Sequence, residues 1–502
     1  MADALLGMDV GTSGSKGVLA RPDGSVIATV ELPHDTDFPQ PGFVEHDPEK
    51  VWWGDFTNIV SELLSKADGH EVKGVSVSGI GACTLPADEN GTPLRSAILY
   101  GIDTRAGREI DEMNERYGED EILERTHAIL SHQSVGPKLA WIRRNQPDIW
   151  EKTKQLLMPN SFIVERLTGE YVLDSVSAAF CTPLYDAKRG EWIQEWADEI
   201  IPGLTLPPIL NPWDVAGTIT AKGAEATGLP EGIPVCAGTI DAFAESASVG
   251  VKQPGDIMLM YGTTVCISGV LNESVPSRDL FSTPGVFEGT HILIGAAATS
   301  GALTKWIRDE FSEGMSFGEL TEEAAKTPPG SAGLVVLPYF AGERTPLYDA
   351  DARGVIAGLT LSHTRGHVYR AMLEATAYSA RSMLDALAEA GVEANRLVAI
   401  GGGTKGGLWT QIVSDVTGIT QELSTERIGA SYGDALMAAR ATGLVGPQDD
   451  WNEVSDTVTP NEANREVYDR LYEVYQQLYP ATKEQVHTLA KMQLEQGVTL
   501  EG

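Results

Sequence analysis

The sequence contains one pattern twice, at positions about 250 residues apart, and this duplication restricts the folds that the chain can adopt. Each copy has a short apolar run, a tight turn of glycine and hydroxyl residues, and a second apolar run, which is typical of a β-hairpin. Two similar hairpins, each near the start of one half of the chain, favour a duplicated domain over one large sheet. The strand, turn and strand are 5–10, 11–14 and 16–20 in the first copy, and 257–261, 262–264 and 265–270 in the second.

Strand-like and helical segments alternate after each hairpin, so the sequence predicts an α/β fold of two duplicated domains with a ligand-binding cleft between them. The glycine-rich stretch 250–255 marks the boundary. The predicted division is an N-terminal domain at 1–250, a C-terminal domain at 251–445 and a helical extension at 446–502. Further strands are predicted at 74–79, 334–338 and 397–400, and helices at 367–390, 409–416 and around the tyrosine repeat 468–479.

Acidic residues outnumber basic ones, 71 against 37, which gives a net charge of −34. This charge repels phosphate backbones and anionic lipids, so the sequence disfavours binding to nucleic acid or to a membrane surface. The four cysteines lie far apart, and we expect them to be small buried residues of a reduced compartment. The start lacks a basic leader, and no apolar run approaches the roughly 18 residues of a membrane span, so the expected location is the cytoplasm.

Walker A and HExxH signatures are absent from the sequence. The first hairpin, from Asp9 to Lys16, instead combines glycines, hydroxyls and a cation around a turn. Backbone amides and hydroxyls of such a turn can hold phosphate oxygens, and Asp9 can orient a hydrated Mg²⁺. An ordinary tight turn explains this segment equally well. Its second copy favours the phosphate interpretation, because a nucleotide between two domains needs a contact from each.

Two other segments carry possible chemistry. The glycine-rich run 401–407 follows a predicted strand and opens a predicted helix, so a flat ring could approach its backbone; a plain βα loop is the alternative. Asp241 follows the small-residue turn 237–240. An aspartate in such a place is often only a helix cap. At the domain boundary, however, its carboxylate could accept a proton from an attacking hydroxyl.

On these segments, the chain resembles the FGGY family of carbohydrate kinases, which belongs to the actin/Hsp70/sugar-kinase ATPase superfamily. Within the FGGY family, it is most similar to the xylulose kinases. The resemblance runs nearly end to end. Its most specific part is Gly354 to Leu359 followed by His367 to Glu374, which fits the family's C-terminal signature in spacing and residue class. The other matching segments are 7–13, 137–141, 168–170 with Asp174, and 342–346.

The resemblance implies a ribonuclease-H-like (actin-like ATPase) sheet in each half, with ATP and Mg²⁺ as cofactors and a sugar or polyol as substrate. By position, Asp241 matches the catalytic base and Asp9 matches the aspartate near the metal. Glu343 and Arg344 are expected to support the cleft, and a homodimer is plausible by resemblance. The positions implied to contact nucleotide are Thr12, Ser13, Lys16, Gly262, Thr263, Gly301, Lys305, Gly402, Gly403 and Gly407.

Two departures from the family pattern concern the acceptor. The Met-His pair of the xylulose-kinase sugar loop is Gly81 and Ala82 in this chain, which removes an imidazole and much volume. The Trp-x-Asp-x-Arg pattern becomes 100–105, one residue longer before Asp103, which is still expected to reach the sugar. A site built to hydrogen-bond a substrate hydroxyl discriminates strongly against substrates that lack it. These two changes should therefore alter which acceptor is preferred. The exact acceptor, a xylulose-like ketose or a polyol, stays open.

A different class of function is an actin- or Hsp70-like nucleotide switch whose output is partner binding. The duplicated hairpins fit it equally well. Asp241 and the kinase-type signature do not, and no peptide-binding domain follows the two halves. A kinase-like protein without activity is a third interpretation, against which the intact set of Asp9, Thr12 and Asp241 argues.

Overall fold

The computed structural model describes residues 2–262, 264–425, 428–447 and 449–496. The chain forms two compact units, and each is made of several stretches of sequence. The first comprises Met1–Lys252, Asn272–Ile292 and Ile428–Glu453, and the second Gln253–Leu271, Leu293–Arg427 and Val454–Gly502. Packing therefore groups two later stretches with the first unit, whereas the sequence-based division follows chain order. None of the helices in the described ranges has the length and apolar character to cross a membrane.

The first unit is built on a mixed sheet. The strand Ala2–Val10 pairs antiparallel with Gly14–Ala20 and parallel with His70–Gly79. The short strand Thr239–Ile240 also pairs parallel with His70–Gly79. The following residue, Asp241, therefore lies at the same end of the sheet as Asp9, where the parallel strands have their C-termini. The strand order is Val215–Thr218, Pro234–Cys236, His70–Gly79, Ala2–Val10, Gly14–Ala20, Val26–Pro33.

Shorter strands and the helices complete the first unit. The shorter strands are Glu45–His46, Leu85–Ala87, Ala97–Ile98, Gln155–Leu157, Leu173–Asp174, Tyr185–Asp186, Glu191–Trp192, Ile209–Leu210 and Phe281–Pro284. The helices are Pro48–Trp53, Gly54–Ser65, Gly107–Tyr117, Glu119–Thr126, Val135–Asn145, Pro147–Trp150, Pro159–Thr168, Ser175–Ala179, Gln194–Ile200, Ala221–Thr227, Asp241–Ser248 and Ala430–Ala441.

The helix Ala430–Ala441 packs closely on the first sheet because glycines leave room for it. A Cβ at Gly7 would lie 1.9 Å from the Ser431 carbonyl oxygen, so the strand approaches the helix where no side chain intervenes. A Cβ at Gly433 would lie 1.9 Å from the Ala244 carbonyl, which brings the helix Asp241–Ser248 equally close. The first contact holds the helix Ala430–Ala441 against the strand that carries Asp9. The second holds the helix Asp241–Ser248 against the helix Ala430–Ala441.

The second unit repeats the sheet design. The strand Asp256–Tyr261 pairs antiparallel with Val265–Leu271 and parallel with Arg396–Ile400. Its strands run in the order His291–Ala297, Val265–Leu271, Asp256–Tyr261, Arg396–Ile400, Gln421–Ser424, Val454–Val458, beside the pair Val335–Leu337 and Val355–Ala357. The helices are Gly301–Phe311, Phe317–Ala325, Ser331–Gly333, Arg365–Glu389, Gly402–Lys405, Gly407–Thr417, Glu462–Asn464 and Arg465–Glu495.

The hairpins, buried strands and long helices expected from the sequence are confirmed, with ends that differ by a few residues. The helix predicted at 367–390 is Arg365–Glu389, and the tyrosine repeat lies on Arg465–Glu495 with its ring side chains buried. The buried Arg370 bonds both Glu374, at 2.8 Å, and the Tyr468 hydroxyl, at 2.9 Å, and so fixes the last helix to the body of this unit. All four cysteines are buried and free, as predicted.

Candidate active site

The first hairpin ends in a tight turn at the edge of the first sheet. The Gly11 amide donates to the Gly14 carbonyl at 3.0 Å and closes the turn. The Thr12 hydroxyl lies 3.2 Å from the Tyr100 hydroxyl, so the turn is linked to the segment predicted to hold the acceptor. Lys16 lies in the following strand with its side chain 31% exposed, and its ammonium is 3.9 Å from a Glu31 carboxylate oxygen. The predicted phosphate-binding residues Thr12, Ser13 and Lys16 are therefore neighbours around one turn.

Asp9 and Asp241 form a pair of interacting carboxylates beside this turn. Burial, and then the nearby charge of Asp241, raise the pKa of Asp9 to about 7. Burial also raises the pKa of Asp241 to about 7, with Glu245 as a further cause. The Ser78 hydroxyl donates to Asp9 at 3.3 Å, and the Ala242 amide donates to Asp241 at 2.6 Å. The two carboxylates that the sequence singled out thus act on each other electrostatically.

Two more carboxylates at this site were missed in the sequence. Glu245 lies one helical turn after Asp241, and burial together with Asp9 raises its pKa to about 7. Asp434, on the helix Ala430–Ala441, is fully buried and accepts hydrogen bonds from the Ser78 amide and hydroxyl at 3.1 and 2.6 Å. Burial raises the pKa of Asp434 well above its usual range. A spacing of four residues from Asp241 was a signal for Glu245; nothing local marks Asp434.

The donor set at this site fits Mg²⁺. Carboxylates that raise one another's pKa gain from a cation, and their oxygens are the hard ligands that Mg²⁺ prefers. In the part of the chain that the structure describes, no three His, Cys, Asp or Glu side chains are grouped as a direct metal cage. Mg²⁺ does not need such a cage, because it usually keeps several waters and uses one or two carboxylates together with substrate phosphates.

The loop with Gly81 and Ala82 lies against Asp241's own segment. A Cβ at Gly81 would lie 2.3 Å from the side chain of Ile240, so Ile240 fills the space that a larger residue would take. Gln133 joins this loop to the loop at Gly101, and both loops are predicted to bind the acceptor. Its side-chain amide donates to the Gly81 carbonyl at 2.6 Å, and its oxygen accepts from the Gly101 amide at 2.8 Å. This link between the two loops was missed by sequence reasoning.

Asp103 is held in a buried ion pair. Its side chain has no exposure, and its carboxylate accepts from Arg105 at 2.6 Å and from the Val44 amide at 2.7 Å. The guanidinium of Arg105 lies 3.9 Å from the centre of the Phe43 ring. Asp103 thus stabilises the loop that is predicted to bind the acceptor, and its carboxylate is already engaged by protein groups. Lys138 supports the same loop by donating to the Leu99 and Tyr100 carbonyls at 2.5 and 2.7 Å.

In the second unit, three predicted nucleotide-binding glycines meet around Tyr261. The Gly301 amide donates to the Gly262 carbonyl at 3.0 Å. A Cβ at Gly403 would lie 2.9 Å from both Tyr261 and Trp409, whose rings stack with centroids 5.8 Å apart. The side chains beside Gly403 are therefore the chain's own, and a 3₁₀ turn at Gly402–Lys405 precedes the helix Gly407–Thr417. The approach of a ligand ring to this run stays a prediction.

Three further residues of this unit that are predicted to bind nucleotide, Gly402, Gly407 and Lys305, are exposed. Neither Gly402 nor Gly407 would bring a Cβ within 4 Å of a described neighbour. Lys305 is exposed on the helix that begins at Gly301. Glu343 is buried, and its carboxylate accepts from the Ala298 amide at 2.8 Å, just before that helix. Thr263 lies outside the described residues.

Comparison with known proteins agrees with this geometry. The profile of the FGGY family of carbohydrate kinases, N-terminal domain, matches residues 4–250, and the C-terminal domain matches residues 257–442. The xylulose kinase of Staphylococcus epidermidis is 30% identical over 494 residues, which cover 96% of this chain and 97% of that relative. The glycerol kinase of Leifsonia xyli subsp. xyli is 29% identical over 91% of each chain. A crystal structure of xylulose kinase from Rhodospirillum rubrum superposes with a TM-score of 0.90 at 30% identity, over 96% of this chain and 100% of that one.

The two family matches, over duplicated sheets of this kind, identify a phosphotransferase that uses an alcohol group as acceptor. The chain belongs to the FGGY family of carbohydrate kinases. This confirms both the resemblance inferred from the sequence and the predicted fold class of two duplicated α/β domains.

Proposed function

We propose that the protein transfers the γ-phosphoryl group of ATP to a hydroxyl of a sugar or polyol, with Asp241 as general base. The observation that carries this proposal is the interacting pair of Asp9 and Asp241 beside the first hairpin. A carboxylate of raised pKa therefore lies beside a turn that is suited to hold phosphate oxygens. The nucleotide-switch alternative does not account for the kinase family to which the chain belongs.

Asp241 is suited to accept a proton near neutral pH. A general base works best when its pKa lies near the working pH, and burial brings the pKa of Asp241 to about 7. In the step proposed, the Asp241 carboxylate takes the hydroxyl proton as the hydroxyl oxygen bonds to the γ-phosphorus. The bond from that phosphorus to the bridging oxygen breaks, and ADP leaves with the electron pair. Only ionised Asp241 can act, so the rate should rise as the pH increases through about 7.

Charge neutralisation supplies most of the acceleration of phosphoryl transfer. On the first unit, the turn amides, the Thr12 and Ser13 hydroxyls and Lys16 would contact phosphate oxygens. On the second unit, Gly262, Gly301, Lys305 and the glycine-rich run would bind nucleotide, and we retain Thr263 with them. Mg²⁺, when bound near Asp9, would offset the negative charge of the phosphates.

The acceptor side is formed by Gly81, Ala82 and the loop that Asp103 holds. The similarity to xylulose kinases makes a ketopentose the first candidate acceptor. The small residues at 81 and 82, and the Ile240 side chain against them, change the shape and hydrogen bonding of this loop. For this reason we also propose polyols, as the similarity to a glycerol kinase suggests.

An acceptor screen tests the proposed activity. Wild-type protein is incubated with Mg-ATP and a ketopentose, pentitol, tetritol, glycerol or aldonic acid, and ADP is measured by a coupled assay. We expect ADP formation that depends on one acceptor class, with a phosphomonoester product visible by ³¹P NMR. ADP formation at the same rate with and without every acceptor would contradict the kinase proposal and favour an ATPase switch.

A further inference from the structure

Two backbone carbonyls at the tip of the first hairpin accept hydrogen bonds from side chains of the loop 34–36. The Gly11 carbonyl accepts from Nε2 of His34 at 3.1 Å, and the Thr12 carbonyl accepts from the Thr36 hydroxyl at 2.8 Å. The Ser13 carbonyl accepts from the His34 amide at 3.1 Å. Three successive carbonyls of the turn therefore point towards the same segment of protein.

The first hydrogen-bond chain runs from Ser15 through Asp55 and His34 to Gly11. The Ser15 hydroxyl donates to Asp55 Oδ2 at 2.7 Å, and the same oxygen lies 2.7 Å from Nδ1 of His34. A carbonyl can only accept, so Nε2 of His34 is the donor to Gly11. The His34 side chain is only 7% exposed, so this paired ring is a fixed part of the fold.

The second chain runs from Trp52 through His46 and Thr36 to Thr12. The Trp52 indole donates to Nδ1 of His46 at 3.2 Å, which leaves the ring proton on Nε2, facing the Thr36 hydroxyl at 3.1 Å. Burial, and then the nearby His34, lower the pKa of His46 to about 4, so this ring is neutral at pH 7. Every donor in the chain consequently points towards the hairpin, and the Thr36 proton is left for the Thr12 carbonyl.

Fixing a carbonyl also fixes the next amide. The peptides at the tip are trans, and in a planar trans peptide the C=O and the following N–H point in opposite directions. Inward carbonyls at Gly11 and Thr12 therefore turn the amides of Thr12 and Ser13 outwards. Neither amide has a hydrogen-bond partner among residues 2–262, 264–425, 428–447 and 449–496. Adjacent outward N–H groups form a concavity that binds anions.

We propose that His34 and His46 are positioning residues, which preset the Thr12 and Ser13 amides as a binding site for a phosphate group of the nucleotide. This inference rests on the proposed function only in taking the anion to be a nucleotide phosphate. The histidines touch neither substrate nor reacting atoms; they act through the two carbonyls.

Nucleotide binding in variants with one chain broken tests the inference. His34→Gln removes the ring that joins Asp55 to Gly11, and Thr36→Val removes the hydroxyl at the end of the second chain without changing its shape. The matched controls are His70→Gln, at the other end of the same sheet, and Thr29→Val, exposed on the strand before the loop. Affinities for ATP and for adenosine are measured by titration calorimetry, and melting temperatures are recorded.

Each of the two variants should bind ATP about tenfold more weakly, the loss expected for one hydrogen bond to a charged group. Adenosine affinity should stay unchanged, as should ATP affinity in both controls. A merely structural role would weaken both ligands together or lower only the melting temperature, and either result would overturn the inference, as would wild-type ATP affinity in both variants. If the wild type binds ATP but phosphorylates no acceptor, the proposed activity is wrong, while the ATP-against-adenosine comparison still decides the role of the histidines.

Discussion

Replacing Glu245 by glutamine should move the acid limb of the pH–rate profile to lower pH. Asp241 needs to be ionised to act as the base, and the negative charge of Glu245 is one cause that raises the pKa of Asp241 to about 7. Glutamine keeps the size of the side chain and removes the charge. The base should therefore ionise at a lower pH in Glu245→Gln than in the wild type.

The size of this shift follows from the helix that carries both residues. Residues four apart on a helix are neighbours, with side chains roughly 6 Å apart. Two charges at that distance interact by about 1 to 2 kcal/mol in a partly solvated site, which corresponds to about one pH unit. Burial is the larger cause and persists in the variant, so the pKa of Asp241 stays above its usual value. Because the pKa of Glu245 is itself raised to about 7, Glu245 carries its charge only near and above pH 7, so the ionised fraction of Asp241 should rise most between about pH 7 and 8, by less than twofold, and little at pH 6.

The assay is kcat/KM for the acceptor from pH 5.5 to 9, with Mg-ATP saturating. Glu245→Gln should have the higher relative activity near pH 7.5, and similar activity at pH 6 and at the plateau. Glu225→Gln, on the exposed helix Ala221–Thr227, is the control and should follow the wild type. Superimposable profiles for Glu245→Gln and the wild type, or a shift to higher pH, would refute the assignment of Asp241 as the titrating base.

Other predictions follow from the same geometry. Gln133→Ala should raise the KM for the acceptor about tenfold with little change in kcat, because two hydrogen bonds between the acceptor loops are lost. The surface control Gln194→Ala should leave the KM unchanged. An unchanged KM in Gln133→Ala would show that the two loops need no such link. Gly403→Ala should destabilise the protein by about 1–3 kcal/mol in thermal unfolding, because its Cβ would lie 2.9 Å from Tyr261 and Trp409. The control Gly402→Ala has open space for its Cβ and should keep the wild-type stability. Equal melting temperatures of the two variants would contradict the packing described. Chelation with EDTA should abolish turnover, and added Mg²⁺ should restore it; full activity in EDTA would exclude the metal.

The sequence predicted those parts of the fold that depend on local pattern. Both hairpins and the strand Arg396–Ile400 are short apolar runs bounded by glycine, and the helix Gly407–Thr417 has one apolar stripe. These signals are read within a few residues of one another. The assignment of the helix Ala430–Ala441 to the first unit is a different matter, because it depends on a close contact between Gly7 and Ser431, far apart in the chain.

The site was predictable to a similar extent. Asp9 lies near the end of a strand, directly before a glycine-rich turn, and Asp241 follows a strand, so local context was enough for sequence reasoning to select both. Asp434 has no such context. It belongs to the site because its carboxylate, on a helix packed against the sheet, accepts a hydrogen bond from Ser78, and no spacing along the chain shows that contact. The same holds for the chain from Ser15 through Asp55 to His34, in which each side chain is unremarkable until the fold brings them within hydrogen-bond distance.

The measurement that tests the central claim most directly is a single turnover with Asp241→Asn. The variant is mixed with Mg-ATP and the acceptor identified in the screen, and Asp148→Asn, on the exposed turn Pro147–Trp150, is the control. If Asp241 removes the hydroxyl proton, Asp241→Asn should bind ATP normally and form product about 10² to 10⁴ times more slowly than wild type and control. Product formation at the wild-type rate would show that a different group takes the proton, and the account of this site would be wrong.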